Sequence, residues 1–268
     1  ALGPRTALAS IMWANNETGT IFPVAELADL ARAAGALFHT DAVQAAGRLA
    51  IDVSATKIDM LSLSGHKLHG PKGIGVLYVR KGVQFSPLIR GGRQERARRG
   101  GTENVPAIVG LGKAAELAAL RLAADSGRIK FLRDRFEDGV LKRIENCLIN
   151  GERRNRLCNT SNIAFDEAEA EAILHHLNGA QIAASAGAAC AAGRMEPSHV
   201  LRAMNLPYTA VHGAIRFSFS RDNTMEDVDR VLYVLPGIVA AARAVSPFGR
   251  ERKAASPRPK RLAGMSTR

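Results

Sequence analysis

Lys67 and Asp41 are the two side chains whose chemistry organises this chain. Lys67 closes Ser64-Gly65-His66-Lys67, directly after the apolar run Met60-Leu61-Ser62-Leu63, which reads as a buried strand. Asp41 closes Phe38-His39-Thr40-Asp41, a second strand ending in polar groups, and Gln44 follows it. A strand-end lysine beside a strand-end aspartate is the pair that pyridoxal phosphate requires. The amine forms a Schiff base with the aldehyde, and the carboxylate pairs with the pyridinium nitrogen so that the ring can accept electrons. Ser64 and His66 offer donors for the phosphate at the end of a strand, and Gln44 could donate to the phenolate oxygen. Taken singly, Asp41 reads rather as a helix cap and Lys67 as a solvated lysine. Their order, with Gln44, Ser64 and His66 at their offsets, favours the cofactor.

Two further residues carry potential chemistry. Arg216 lies inside the apolar strand Ala214-Ile215-Arg216-Phe217-Ser218 and is costly to bury without a carboxylate partner. That partner is either a substrate or a structural acid, and the spacing leaves both open. Cys190 sits in Ser185-Ala186-Gly187-Ala188-Ala189-Cys190-Ala191-Ala192-Gly193, too small-sided to pack as a regular element. A thiol on such a loop suits a nucleophile that must approach a substrate and then withdraw. The commoner fate of a free cysteine is a small buried hydrophobe. That reading fits Cys147, beside a strand, and Cys158, in a polar turn. The three cysteines show no Cys-x-x-Cys spacing, and their odd number argues against a disulfide framework. His175 and His176 are adjacent on a predicted helix, so they point apart and do not form a metal-binding pair.

The elements that must position these groups alternate in the first half. Leu8–Trp13 reads as a strand, followed by the turn-rich Asn15-Asn16-Glu17-Thr18-Gly19-Thr20 and a helix starting at Pro23 and stopping at Gly35. Strands are expected at Ala36–Thr40, Met60–Leu63 and Gly75–Val79. This pattern predicts an α/β sheet with ligands at the strand ends. Two Ala/Leu/Arg helices are expected next, at Ala107–Ala124 and Ile129–Glu145. Then come strands at Cys147–Asn150 and Asn162–Phe165, a helix at Ala168–Leu177, the strand Ala214–Ser218, and a last helix Met225–Val245 that Pro236 should kink. The expected organisation is a large domain over 1–122, a small α+β domain over 123–248 and a disordered basic tail over 249–268.

The formal charge of +12 over 268 residues invites a nucleic-acid reading, but the charge is uneven. Much of it lies in the tail, including Arg250, Arg252, Lys253, Arg258, Lys260 and Arg261. A second cluster, Arg93, Arg96, Arg98 and Arg99, falls in a Gly-rich loop assigned to the rim of the site. Neither has the aromatic interleaving of a single-strand binder, so nucleic acid is not the expected partner. No apolar run approaches a membrane span and no signal-peptide pattern opens the chain, so the expected location is cytoplasmic. The chain starts Ala1-Leu2-Gly3-Pro4, without methionine, and runs almost at once into a strand, which reads as an N-terminal truncation.

His39-Thr40-Asp41-Ala42-Val43-Gln44, Ser64-Gly65-His66-Lys67-Leu68-His69-Gly70-Pro71-Lys72-Gly73 and Arg98-Arg99-Gly100-Gly101-Thr102-Glu103-Asn104 resemble the cysteine desulfurases. These belong to the fold-type I, class V pyridoxal-phosphate aminotransferase superfamily. Trp13-Ala14-Asn15-Asn16-Glu17-Thr18-Gly19-Thr20 is most similar to the branch associated with nitrogen fixation, and the similarity runs from about residue 7 to 248. The resemblance implies an incomplete fold-type I large domain followed by the smaller C-terminal domain. It implies that Asn16 contacts the ring and the substrate carboxylate, and that Thr102 reaches a partner subunit's phosphate in a homodimer. Arg216 would clamp the substrate carboxylate, and Cys190 would take sulfur from L-cysteine as a persulfide, leaving L-alanine. An iron–sulfur scaffold protein would be the sulfur acceptor. The chain departs from the family in replacing loop hydroxyls with Ala186, Ala188, Ala191 and Ala192. It also lacks the expected upstream phosphate cradle and ring-stacking histidine. Selenocysteine lyase, class V aminotransferase and a non-catalytic remnant are the alternatives.

Overall fold

The computed structural model describes residues 2–187 and 197–248. Cys190, most of its small-residue loop and the basic tail lie outside the described residues. The described chain is an α/β protein that divides by packing into two compact units. The first holds 1–134 and recruits 151–161 and 218–223; the second is built from 135–150, 162–217 and the segment from Thr224 onward. Packing therefore divides the chain differently from a single cut at 122/123. The expected break between two helices is absent, because α3 runs unbroken over Val105–Arg143. Asp125-Ser126-Gly127 sits inside that helix, and an internal glycine costs a helix only about 1 kcal/mol.

In the first unit, β1 (Leu8–Met12), β2 (Leu37–Asp41), β3 (Met60–Ser64) and β4 (Gly75–Val79) form one sheet in that order. β1, β2 and β3 run parallel, so their C-terminal ends lie together, while β4 returns antiparallel to β3. Helix α1 (Val24–Ala33) provides the crossover between β1 and β2, with Pro23 at its N-cap and Gly35 in the left-handed region after its end. Its face of Val24, Ala28 and Ala31 is buried against Phe38 and Leu61 of the sheet. Alternation along the strands then leaves Ser10, His39, Asp41, Ser62 and Ser64 on the opposite, polar face.

α2, Gln94–Ala97, is a single turn in the arginine-rich loop, with Glu95, Arg96 and Ala97 all at positive φ. In the second unit β5 (Cys147–Ile149), β6 (Thr160–Phe165) and β7 (Ala214–Ser218) form a three-stranded sheet. α4 (Ala170–Gly179) and α7 (Met225–Val245) pack on each other. Two five-residue helices, α5 (His199–Ala203) and α6 (Tyr208–His212), escape any sequence period because each is barely more than one turn. Thr224 and Asp227 form a reciprocal capping box that starts α7, and that helix continues through Pro236.

Candidate active site

The first unit brings Asp41, Gln44, Ser64, His66 and Lys67 to the C-terminal ends of β2 and β3. Asp41 is the last residue of β2 and stands in register with Ser62 of β3. Its Oδ1 accepts the Val43 N–H at 2.8 Å, which turns the chain sharply after the strand, and Oδ2 takes no partner among the described residues. The chain then coils through 43–48 as a run of turns rather than the helix that an aspartate cap would start. Gln44 is half-buried in that run.

Ser64 ends β3, and a 3₁₀ turn over Gly65–Leu68 carries His66 and Lys67 out of the sheet. The Ser64 hydroxyl and His66 Nδ1 share a hydrogen bond of 2.7 Å. Leu68 anchors the turn by packing with Ala46, Leu111 and Ala114. Two glycines make room for this. Gly47, at φ +72°, lies where a Cβ would come within 2.6 Å of Leu68 Cδ2. Gly65 lies where a Cβ would come within 2.8 Å of Ile74 Cγ2 and 3.0 Å of the Pro71 carbonyl oxygen. Lys67 is half-buried, and its amine makes no hydrogen bond or ion pair among the described residues. An amine on the turn after β3, a carboxylate with one free oxygen at the end of adjacent β2 and a Ser–His donor pair are the groups that the aldehyde, ring nitrogen and phosphate of pyridoxal phosphate need.

The remaining expected residues are distributed differently. Asn16 is half-buried in the turn after β1, but its neighbour Asn15 organises that turn: Asn15 Oδ1 accepts from Glu17 N, Thr18 N and Thr18 Oγ1. The segment reads as a turn in the sequence, but that Asn15 rather than Asn16 organises it is seen only in the structure. Thr102 is exposed in the loop before α3. Arg216 belongs to the second unit, at the centre of β7 and half-buried, where its backbone pairs with Ser185.

Two features went unread in the sequence. On the polar face, His39 bridges β1 and β3, with Nδ1 at 2.8 Å from Ser10 Oγ and Nε2 at 2.8 Å from Ser62 Oγ. Behind the Lys67 turn lies a cavity of about 170 Å³ lined by His66, Lys67, Arg48, Ser126 and Cys158, among others. Burial pushes the Cys158 thiol above its ordinary range, although Ser126, Arg48 and Arg133 pull the other way. Burial likewise pushes Cys147 up, against the pull of Arg243, and its thiol donates to the Ile144 carbonyl at 3.0 Å. A raised thiol holds less of the reactive thiolate at neutral pH.

Comparison with known proteins places the chain in a family. A cysteine desulfurase of Gluconacetobacter diazotrophicus is 65% identical over 248 residues, which cover 92% of this chain and 62% of that protein. Cysteine desulfurase NifS of Azotobacter vinelandii is 56% identical over 242 residues, covering 90% of this chain and 60% of the relative. Among solved structures, a NifS-like protein from Rickettsia africae superposes with a TM-score of 0.81 at 34% identity, over 88% of this chain and 62% of that one. The chain thus spans 60–62% of the length of these relatives. No described helix is long and apolar enough to cross a membrane. The aminotransferase class-V model matches residues 1–231, across Asp41 at the end of β2, Lys67 in the turn after β3 and on through Arg216, and the chain belongs to that family.

Proposed function

We propose that this chain carries the lysine, aspartate, arginine and cysteine of a pyridoxal-phosphate-dependent cysteine desulfurase, acting as a homodimer. The observation that carries the reading is that Lys67, on the turn leaving β3, has an amine with no partner among the described residues, while Asp41 ends the adjacent parallel strand β2. The similarity to proteins named cysteine desulfurase supports this activity among those of the class-V family.

When bound, pyridoxal phosphate supplies an electron sink next to the substrate's α-carbon. Lys67 would hold the cofactor's aldehyde carbon and afterwards, as a free amine, carry protons to and from the substrate. Asp41 Oδ2 would keep the ring nitrogen protonated. Ser64 and His66 would donate to the phosphate, joined by Thr102 of the opposite protomer, and Gln44 would donate to the phenolate oxygen. Asn16 and Arg216 would orient the substrate carboxylate, the guanidinium by a bidentate pair. Cys190, as a thiolate, would take the sulfur of L-cysteine. The substrate C–S bond breaks, an S–S bond forms on Cys190, and the former thiol-bearing carbon gains a proton, so that cysteine plus thiol yields alanine plus persulfide. An iron–sulfur scaffold protein is the proposed acceptor.

The test is sulfide and alanine release from L-cysteine by the full-length protein with its cofactor. Wild type should release both, Lys67→Ala neither, and Cys190→Ala no sulfide although the cofactor stays bound. Normal desulfuration by Cys190→Ala would sink the proposal. Transamination that survives in Cys190→Ala would instead favour an aminotransferase.

A further inference from the structure

We propose that His39 is a positioning residue that sets the aim of Asp41 through a Ser10–His39–Ser62 hydrogen-bond bridge; this inference rests on the cofactor reading above. His39 lies two residues before Asp41 on β2, so alternation puts both side chains on the polar face of the sheet. Ser10 stands opposite His39 on β1, and Ser62 stands opposite Asp41 on β3. The imidazole therefore links one neighbouring strand at its own level and the other at the level of Asp41, with 2.8 Å on each side.

Three parallel strands end together here, and backbone bonding alone lets each end fray. A ring with only two side-chain torsions, bonded at both nitrogens, holds the three ends at fixed spacing on the face where Asp41 acts. It also occupies the Ser62 hydroxyl, which would otherwise be free to turn toward the Asp41 carboxylate. His39 touches neither Lys67 nor the phosphate donors in the described hydrogen bonds, so its influence on bound cofactor passes through Asp41 and Ser62. Supporting hydrogen bonds of this kind fix the orientation of the group that does the chemistry.

The experiment uses the full-length protein with pyridoxal phosphate as the probe. Absorbance titration gives the dissociation constant, the pH dependence of the bound cofactor's visible band gives a midpoint, and thermal melting of the cofactor-free protein gives stability. His39→Phe keeps the ring's bulk and removes both hydrogen bonds; Ser62→Ala removes one. Each should weaken pyridoxal phosphate by about tenfold, the worth of one or two hydrogen bonds, and shift the midpoint. His39→Gln, with one donor and one acceptor, should recover most of both. If His39→Phe and Ser62→Ala match wild type in affinity and midpoint, the inference is overturned, even where melting temperature falls. Should His39→Phe fail to fold, Ser62→Ala decides alone. A wild-type protein that takes up no pyridoxal phosphate would overturn the cofactor reading and this inference together.

Discussion

Ser185 and Arg216 are joined by both of their backbone groups: Ser185 N donates to Arg216 O at 3.1 Å, and Arg216 N donates to Ser185 O at 2.7 Å. The segment that leads toward Cys190 in sequence is thus fastened to the strand residue proposed to hold the substrate carboxylate. Two jobs assigned to different parts of the chain share one anchor. Ser185→Pro removes one of the two donors and should lower stability by about 1–3 kcal/mol. In the full-length enzyme it should also raise the KM for cysteine and lower kcat together. A stable Ser185→Pro protein with wild-type kinetics would show that the anchor does not matter to the reaction.

Lys67 should be the residue modified by cofactor. Borohydride reduction of the full-length protein with pyridoxal phosphate, followed by peptide mapping, should leave a pyridoxyl group on Lys67. A label on Lys72 instead would mean that the turn after β3 has been misread.

Gly65→Ala tests the turn itself. The added Cβ would meet the Ile74 side chain and the Pro71 carbonyl, of which the backbone oxygen cannot yield without moving the Lys67 turn. Stability should fall by about 1–3 kcal/mol, and pyridoxal phosphate affinity should fall with it. Unchanged affinity at reduced stability would uncouple the turn from the cofactor.

The raised thiols give a pH signature. A group whose folded pKa lies above its unfolded value stabilises the fold below the unfolded pKa and loses that contribution as pH climbs through the folded one. For Cys147 and Cys158, stability should be intact below the ordinary thiol range of about 8.5 and should decline above it. Cys158→Ala and Cys147→Ala should flatten that alkaline decline while leaving sulfide release largely intact. Rapid alkylation of either thiol at neutral pH in the native protein would contradict the burial argument.

Arg216→Lys should raise the KM for cysteine by about tenfold or more with little effect on melting temperature, because an ammonium cannot reproduce the bidentate fork. Equal kinetics in the two proteins would move the carboxylate clamp elsewhere.

What could be read from the sequence follows how locally each feature is encoded. β4, β7 and α7 appear with the bounds their apolar runs and flanking turns predict. Asp41 and Lys67 were legible because Asp41 ends one strand and Lys67 follows another within a few residues, and both strand patterns are local. The continuity of α3 was not, since Ser126 and Gly127 look like a stop when the packing on either side is unknown. The direction of β4 was also hidden, because side-chain alternation is the same in parallel and antiparallel strands. His39 looked like part of the aspartate motif and nothing more. Its bridge needs Ser10 and Ser62, which only sheet register brings beside it, and no spacing along the chain announces that.

The first unit's recruitment of 151–161 and 218–223 has a consequence for the order of synthesis. Leu157 is fully buried and its carbonyl accepts from Arg133, while Phe219 N donates to the Asn159 carbonyl. The strand that ends in Asp41 and the turn that carries Lys67 leave the ribosome before the wall of the cavity behind that turn, which includes Cys158, Asn159, Phe219 and Arg221. A nascent chain halted at α3 would display the strands and the turn with that wall unbuilt. The first unit can close only after β7 has been made, so the lysine waits for nearly the whole translation of the described chain before its surroundings are complete.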